Sequence, residues 1–290
     1  MKQWILTLGI CGCVLASHAQ TDSTAKTSDT IQVGNFVIVK TGKENNASLK
    51  KEKDVSVRVI EERFKSHRRK QNILSTNWFI FDLGFTNLID NTDYSKAQGM
   101  GYLKTAYAPA GPITQSDMTL NSGKSSNVNL WFFMQKLNIT HHVLNLKYGM
   151  GLEMYNFRYD RNISYRSTPQ PMVFKDSIGF RKDKLYAGYI TVPLMINITP
   201  KPNVHNAFTF SAGISAGYLI DWRNKQISDQ RGKQKYRGDM LLQPWRLAAI
   251  TELGLGPVRL YGSYSLNALH REETGLNQVP YVVGIRFSNW

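Results

Sequence analysis

From residue 77 onward, apolar and polar positions alternate in eight segments, at about 77–88, 127–138, 142–157, 184–198, 206–222, 243–254, 257–268 and 279–288. A period of two marks a strand, because successive side chains point to opposite faces. Each segment holds at least ten residues. Ordinary strands run to about five or six, whereas a tilted strand that crosses a bilayer needs about nine to eleven. The connectors alternate in length. Long ones lie at 89–126, 158–183, 223–244 and 270–278, and short ones near 139–142, 199–205 and 254–257. The pattern predicts an all-β fold, an eight-stranded antiparallel up-and-down transmembrane β-barrel. Long loops would lie outside and short turns on the periplasmic side, with both chain ends periplasmic.

The phase that carries the charge decides which face looks where. In 144–154 one face reads Leu144, Leu146, Tyr148, Met150, Leu152, Met154, and the other holds Asn145, Lys147, Gly149, Gly151 and Glu153. In 185–198 an apolar row from Tyr186 and Ile190 to Ile198 opposes Tyr189, Thr191, Pro193, Met195 and Asn197. Sorting the other segments puts Asp82, Arg246, Glu252, Arg259 and Arg286 in the polar phase and Asp221 with them. A basic side chain on the lipid face at mid-bilayer costs about 2–4 kcal/mol, so a barrel excludes it there. Lys136 is the one charge placed in the apolar phase, near the periplasmic strand end where it can snorkel. A water-soluble β-sandwich also alternates. Its water-facing side, however, would seldom mix Gly149, Gly151, Gly213, Gly217 and Gly284 with bulky Trp131, Phe133, Tyr189 and Tyr261. That mixture suits a narrow interior where small residues make room for large ones. Tyr94, Tyr102, Trp222 and Trp245 at the loop side, and Tyr148 and Phe208 near the turns, are expected in two interfacial belts.

The first 19 residues read as a cleaved secretory signal peptide: Lys2, an apolar run from Trp4 to Ala16, then Ser17 and Ala19 ahead of a cut before Gln20. Cys13 after Gly12 offers a lipoprotein alternative, which the apolar Val14–Ala16 beyond it disfavours. Residues 20–76 are read as a periplasmic segment. They carry a short β-hairpin with a turn at Gly34–Asn35, then a basic linker over 40–76. Residues 77–290 form the barrel. The only cysteines, Cys11 and Cys13, lie within the leader, so disulfides and thiol ligands are not expected. The net charge of +15 points to anionic partners. In an exported chain these are outer-membrane lipid and lipopolysaccharide phosphates, not nucleic acid.

"DTIQVGNFVIVK", the first strand "NWFIFDLGFTNLID", and the segments "HHVLNLKYGMGLEMYNFRY" and "YITVPLMINITP" resemble the small outer-membrane β-barrel proteins of Bacteroidetes, the PorT-like family. The resemblance covers nearly the whole chain as a pattern of strands. It implies an outer-membrane location and an accessory role in surface assembly or secretion. The terminal aromatic resembles the insertion signal read by the barrel-assembly machinery, carried by Phe287 or by Trp290 three residues later.

Candidate chemistry is sparse. Asp82, Lys147, Glu153, Arg246, Glu252, Arg259 and Arg286 are expected to form a lumen ion-pair network, with an ion path or substrate site as the alternative. The third outer loop offers an anion-binding set, Arg223, Lys225, Arg231, Lys233, Lys235 and Arg237. His141, His142 and His205 belong to short turns, and His67 to the linker. Only His270 is expected at the outer face, where a lipid-modifying enzyme or protease would work. No phosphate loop, zinc quartet or dinucleotide fingerprint occurs. The expectation is a non-catalytic structural or interaction barrel without a cofactor. The alternatives are a narrow porin-like pore and an outer-membrane enzyme.

Overall fold

A computed structural model describes residues 30–33, 36–39, 72–105, 111–202, 204 and 207–288. The chain divides into two units, Met1–Glu62 and Arg63–Trp290. In the first, β1 (Thr30–Val33) and β2 (Phe36–Val39) pair antiparallel with Val33 opposite Phe36, the hairpin expected around Gly34–Asn35. The leader, the basic run as far as residue 71, His205 and Trp290 lie outside the described residues.

The second unit is a closed barrel. Its strands are β3 (Leu74–Asp90), β5 (Ser126–Thr140), β6 (Leu144–Arg158), β9 (Lys182–Ile198), β10 (Phe208–Ser228), β12 (Trp245–Leu255), β13 (Val258–Ser265) and β14 (Gln278–Phe287). Each pairs antiparallel with its neighbours in chain order, and β14 returns to β3 to close the ring. Among the described residues, no helix is long and apolar enough to cross a membrane. The long loops carry α1 (Tyr94–Gly99) and four short strands, β4 (Leu103–Lys104), β7 (Ile163–Arg166), β8 (Met172–Lys175) and β11 (Gly232–Tyr236).

Seven barrel strands reach the ten or more residues expected. The eighth, β13, has eight residues where 257–268 was expected, because the tight turn at Gly256–Pro257 begins it late and an irregular loop ends it early. Gly256 has φ +61°, a left-handed conformation that a two-residue turn requires. Strand β10 instead overshoots to Ser228, where it pairs with β11 as a ribbon beyond the barrel rim.

Three departures from strict alternation correct the face assignments. Phe79 takes a left-handed conformation (φ 54°), so both Trp78 and Phe79 point outward. The register of β5 slips between Trp131 and Phe133. Phe133 therefore lies outward against Trp78, and Met134 takes the inward place. The same slip turns Lys136 inward, directly opposite buried Lys147, so it does not snorkel into lipid. A bulge between Leu219 and Asp221 puts Asp221 outward and turns Trp222 toward the loops. A single extra residue reverses every later side chain in its strand.

The interior is filled. Gly84 and Gly284 face each other across β3 and β14, and a Cβ on Gly284 would stand 2.6 Å from the Tyr261 ring. Gly151 likewise leaves space for Trp131, whose ring would lie 2.8 Å from an added Cβ. Glycine opposite aromatic is how an eight-stranded interior closes.

Candidate functional site

The lumen holds two ionic networks, both built from inward positions of the barrel strands. In the first, Arg286 grips Asp82 bidentately, Nε to Oδ1 at 2.8 Å and Nη2 to Oδ2 at 2.7 Å. Trp131 Nε1 and Asn129 Nδ2 also donate to Asp82 Oδ2. Arg286 Nη1 then reaches Glu252 Oε2 at 2.7 Å. Glu252 Oε1 accepts from Lys147 Nζ and from Arg259 Nη1, each at 2.8 Å. One carboxylate thus stands among three cations. In the second network, Arg246 Nη1 meets Glu153 Oε2 at 2.7 Å. Thr191 also donates to Glu153, while Ser263 and Ser265 accept from Arg246. All seven residues predicted for the lumen are brought together here, each no more than 5% exposed. Lys136, assigned elsewhere by its sequence phase, joins them within Coulombic range of Glu252 and Arg259.

Buried charges survive only when paired and hydrogen-bonded, and fixed β-strand geometry supplies that here. A cavity of about 20 Å³ lies between the networks, bordered by Asn129, Glu153, Tyr261 and Arg286. Such a volume holds a water molecule and no larger ligand. Asn129 Oδ1 beside it has no protein partner, which suits a bound water.

Above the lumen, the long loops form a second core that the sequence reading did not anticipate. Parallel pairing of β4 with β8 ties the first long loop to the hairpin of the second. Tyr102 Oη donates to the Met240 carbonyl at 2.7 Å, linking the first loop to the third. Ile113, Leu120, Phe157, Ile163, Tyr165, Leu185, Met240 and Leu276 are buried together with them. Tyr102, expected in an interfacial belt, belongs to this cap because its loop folds back over the barrel mouth. Trp245 instead points outward, 57% exposed.

His270 is also in the cap and not at the outer surface. It is 2% exposed, its ring stacked on Tyr165 at 5.9 Å. Neither ring nitrogen meets a protein partner. Burial holds its pKa down at about 3, against the opposing pull of Asp90, so the ring is neutral. A sealed, neutral imidazole does not present a base to an external substrate. His141 and His142 form the tight turn between β5 and β6, both with positive φ.

The six cations of the third long loop are divided. Arg223 and Arg237 reach Asp221, at 2.8 and 3.8 Å. Arg231 pairs with buried Asp176 at 2.8 Å, securing its loop to the cap. Lys225, Lys233 and Lys235 lie on the outward face of the β10–β11 ribbon, with no carboxylate in ion-pair range among the described residues. Of the two insertion-signal candidates, Phe287 ends β14 facing outward at 50% exposure. Among the described residues, no cluster of His, Cys, Asp and Glu is arranged to hold a metal ion. No family model matches the chain, and no curated protein matches it.

Proposed function

We propose that this chain is an outer-membrane β-barrel that works without catalysis, as a closed membrane-embedded scaffold whose loop cap meets partners. One observation carries the reading: the wall and the interior have exchanged their usual polarities. On β9, Ile190, Val192, Leu194, Ile196 and Ile198 point outward at 37–52% exposure, while charge lies inside and paired. Outward rows on β12, β13 and β14 continue the band through Leu247, Leu253, Leu260, Val283 and Ile285. An apolar belt of this extent is far larger than the patches that monomers expose to water. The filled lumen and the capped mouth weigh against a pore. The burial of His270 weighs against the outer-face enzyme. An accessory role in surface assembly or secretion, implied by the PorT-like resemblance, fits a scaffold with a structured cap.

The experiment is extraction and refolding. The protein should require detergent or bilayer, show a heat-dependent shift in gel mobility, and give no discrete conductance steps in planar bilayers. A chain that stays monomeric and folded in detergent-free buffer would contradict the membrane reading. Regular single-channel steps would contradict the closed lumen.

A further inference from the structure

Four cations stand side by side across four neighbouring strands. Arg158 on β6 is in register with Lys184 on β9, Lys184 with Lys225 on β10, and Lys225 with Lys235 on β11. Adjacent strands lie about 4.8 Å apart, and directly opposed like charges are destabilising. A second row, Lys182 and Lys233, flanks Ile227, and Arg223 lies over the Tyr186 ring at 4.3 Å. The stems are held in place: Lys184 Nζ donates to Asn156 Oδ1 at 2.6 Å, and Arg158 Nη2 to the Arg181 carbonyl at 2.7 Å. Asp221, at the lower edge, is already engaged by Arg223. Asp229, at the upper edge, is taken by Arg181, so among the described residues no carboxylate stands in ion-pair range of Lys182, Lys184, Lys225, Lys233 or Lys235 in this grid.

Its height on the wall identifies the occupant. At ~3.3 Å per residue and a tilt of about 45°, an apolar band ~25 Å tall starting at Ile198 ends near Gly188. Lys184 follows roughly 9 Å higher, and its stem runs down to Asn156, opposite Tyr186, into a headgroup layer about 5–8 Å deep. The grid faces sideways, continuous with the apolar wall below it. We propose that this row of cations is a lateral site for the phosphate groups of an outer-leaflet glycolipid, whose acyl chains lie on the apolar wall beneath. The proposal rests on the membrane-barrel reading. A phosphate oxygen accepts hydrogen bonds from ammonium and guanidinium donors on neighbouring strands, relieving their mutual repulsion. The site is a sheet face shared by four strands, and only part of the third-loop set belongs to it.

The test uses the refolded full barrel in neutral detergent, offered bisphosphorylated lipid A or its dephosphorylated form, with retained lipid measured by native mass spectrometry. The wild type should retain the phosphorylated lipid in preference. K225Q/K235Q should lower retention by about tenfold or more, since each cation near an anionic surface contributes about fivefold. K96Q/K124Q removes the same charge from exposed sites elsewhere on the long loops and should change retention less than twofold. Equal loss in both variants, unchanged retention in K225Q/K235Q, or equal retention of the dephosphorylated lipid would each overturn the site. Complete displacement by inorganic phosphate would also overturn it, assigning the grid to a free anion. A wild type without the heat-dependent mobility shift defeats the barrel reading itself, whereas a shifted barrel that ignores the lipid defeats only this proposal.

Discussion

Strand β9 passes through two environments without changing its phase. In its lower half, outward positions are Ile190 to Ile198 and inward ones include Thr191 and Asn197. In its upper half, outward positions are Lys182, Lys184 and Tyr186, while inward Leu185 and Ala187 are fully buried in the cap core beside buried Asp183. The lower half has its apolar side out and the upper half its apolar side in. The backbone geometry is the same, and on the membrane reading proposed above the difference comes from what lies outside, hydrocarbon below and water above. The lumen and the cap are opposites for the same reason. On the same reading, the lumen confines charge that a lipid face would not accept, and the cap buries apolar side chains as any water-exposed domain does.

The largest break in this comparison should come from Glu252→Ala. It leaves Lys147, Arg259 and Arg286 around an absent carboxylate. The expected loss is about 3–5 kcal/mol in urea unfolding from bilayers, with Arg286 still held by Asp82. Leu194→Arg, on the lower outward face, should cost about 2–4 kcal/mol, while Lys184→Leu, on the upper outward face, should stay within about 0.5 kcal/mol. Similar costs at the two positions would remove the distinction between the halves. Gly284→Val drives a methyl into Tyr261 and the β3 backbone, an overpacking cost of about 1–3 kcal/mol that Tyr261→Leu should partly restore.

The smallest effect at neutral pH, and the most specific, concerns His270. Its folded pKa of about 3 lies below the unfolded value of about 6.5. The unfolded cap therefore binds a proton that the folded cap refuses. Cap stability is complete above about pH 6.5 and declines as pH falls toward 3, by up to about 4 kcal/mol. His270→Phe keeps the stack on Tyr165 and removes two unpartnered nitrogens, so it should add about 1 kcal/mol at pH 7 and remove the share of the pH dependence that His270 carries, leaving that of Asp176 and Asp183. Amide hydrogen exchange in 163–175 and 266–277, followed from pH 7 to 4, reads both effects.

The barrel was legible in the sequence because long period-two runs survive any ordinary loop noise. The lumen residues were legible as a set, since Asp82, Lys147, Glu153, Arg246, Glu252, Arg259 and Arg286 are all buried there. Their pairing was not, because partners such as Lys147 and Glu252 lie 105 residues apart and meet only when the ring closes. Bulges at Phe79, after Trp131 and after Leu219 leave no trace in composition, which is why strict alternation puts Phe133, Lys136 and Asp221 on the wrong faces. The cap escaped notice for a different reason. Its strands β7 and β8 have only four residues each, and its core gathers single residues such as Tyr102, Tyr165, Met240 and His270 from four separate loops. A local pattern cannot report a core assembled that way.

Paired accessibility measurements test the polarity exchange most directly. In a chain lacking Cys11 and Cys13, a spin label is placed at Val192→Cys or at Lys184→Cys, and the barrel is refolded into bilayers. The account predicts that the label at 192 relaxes with oxygen and ignores a water-soluble nickel complex, and that the label at 184 does the reverse. Nickel access at 192 equal to that at 184 would contradict it.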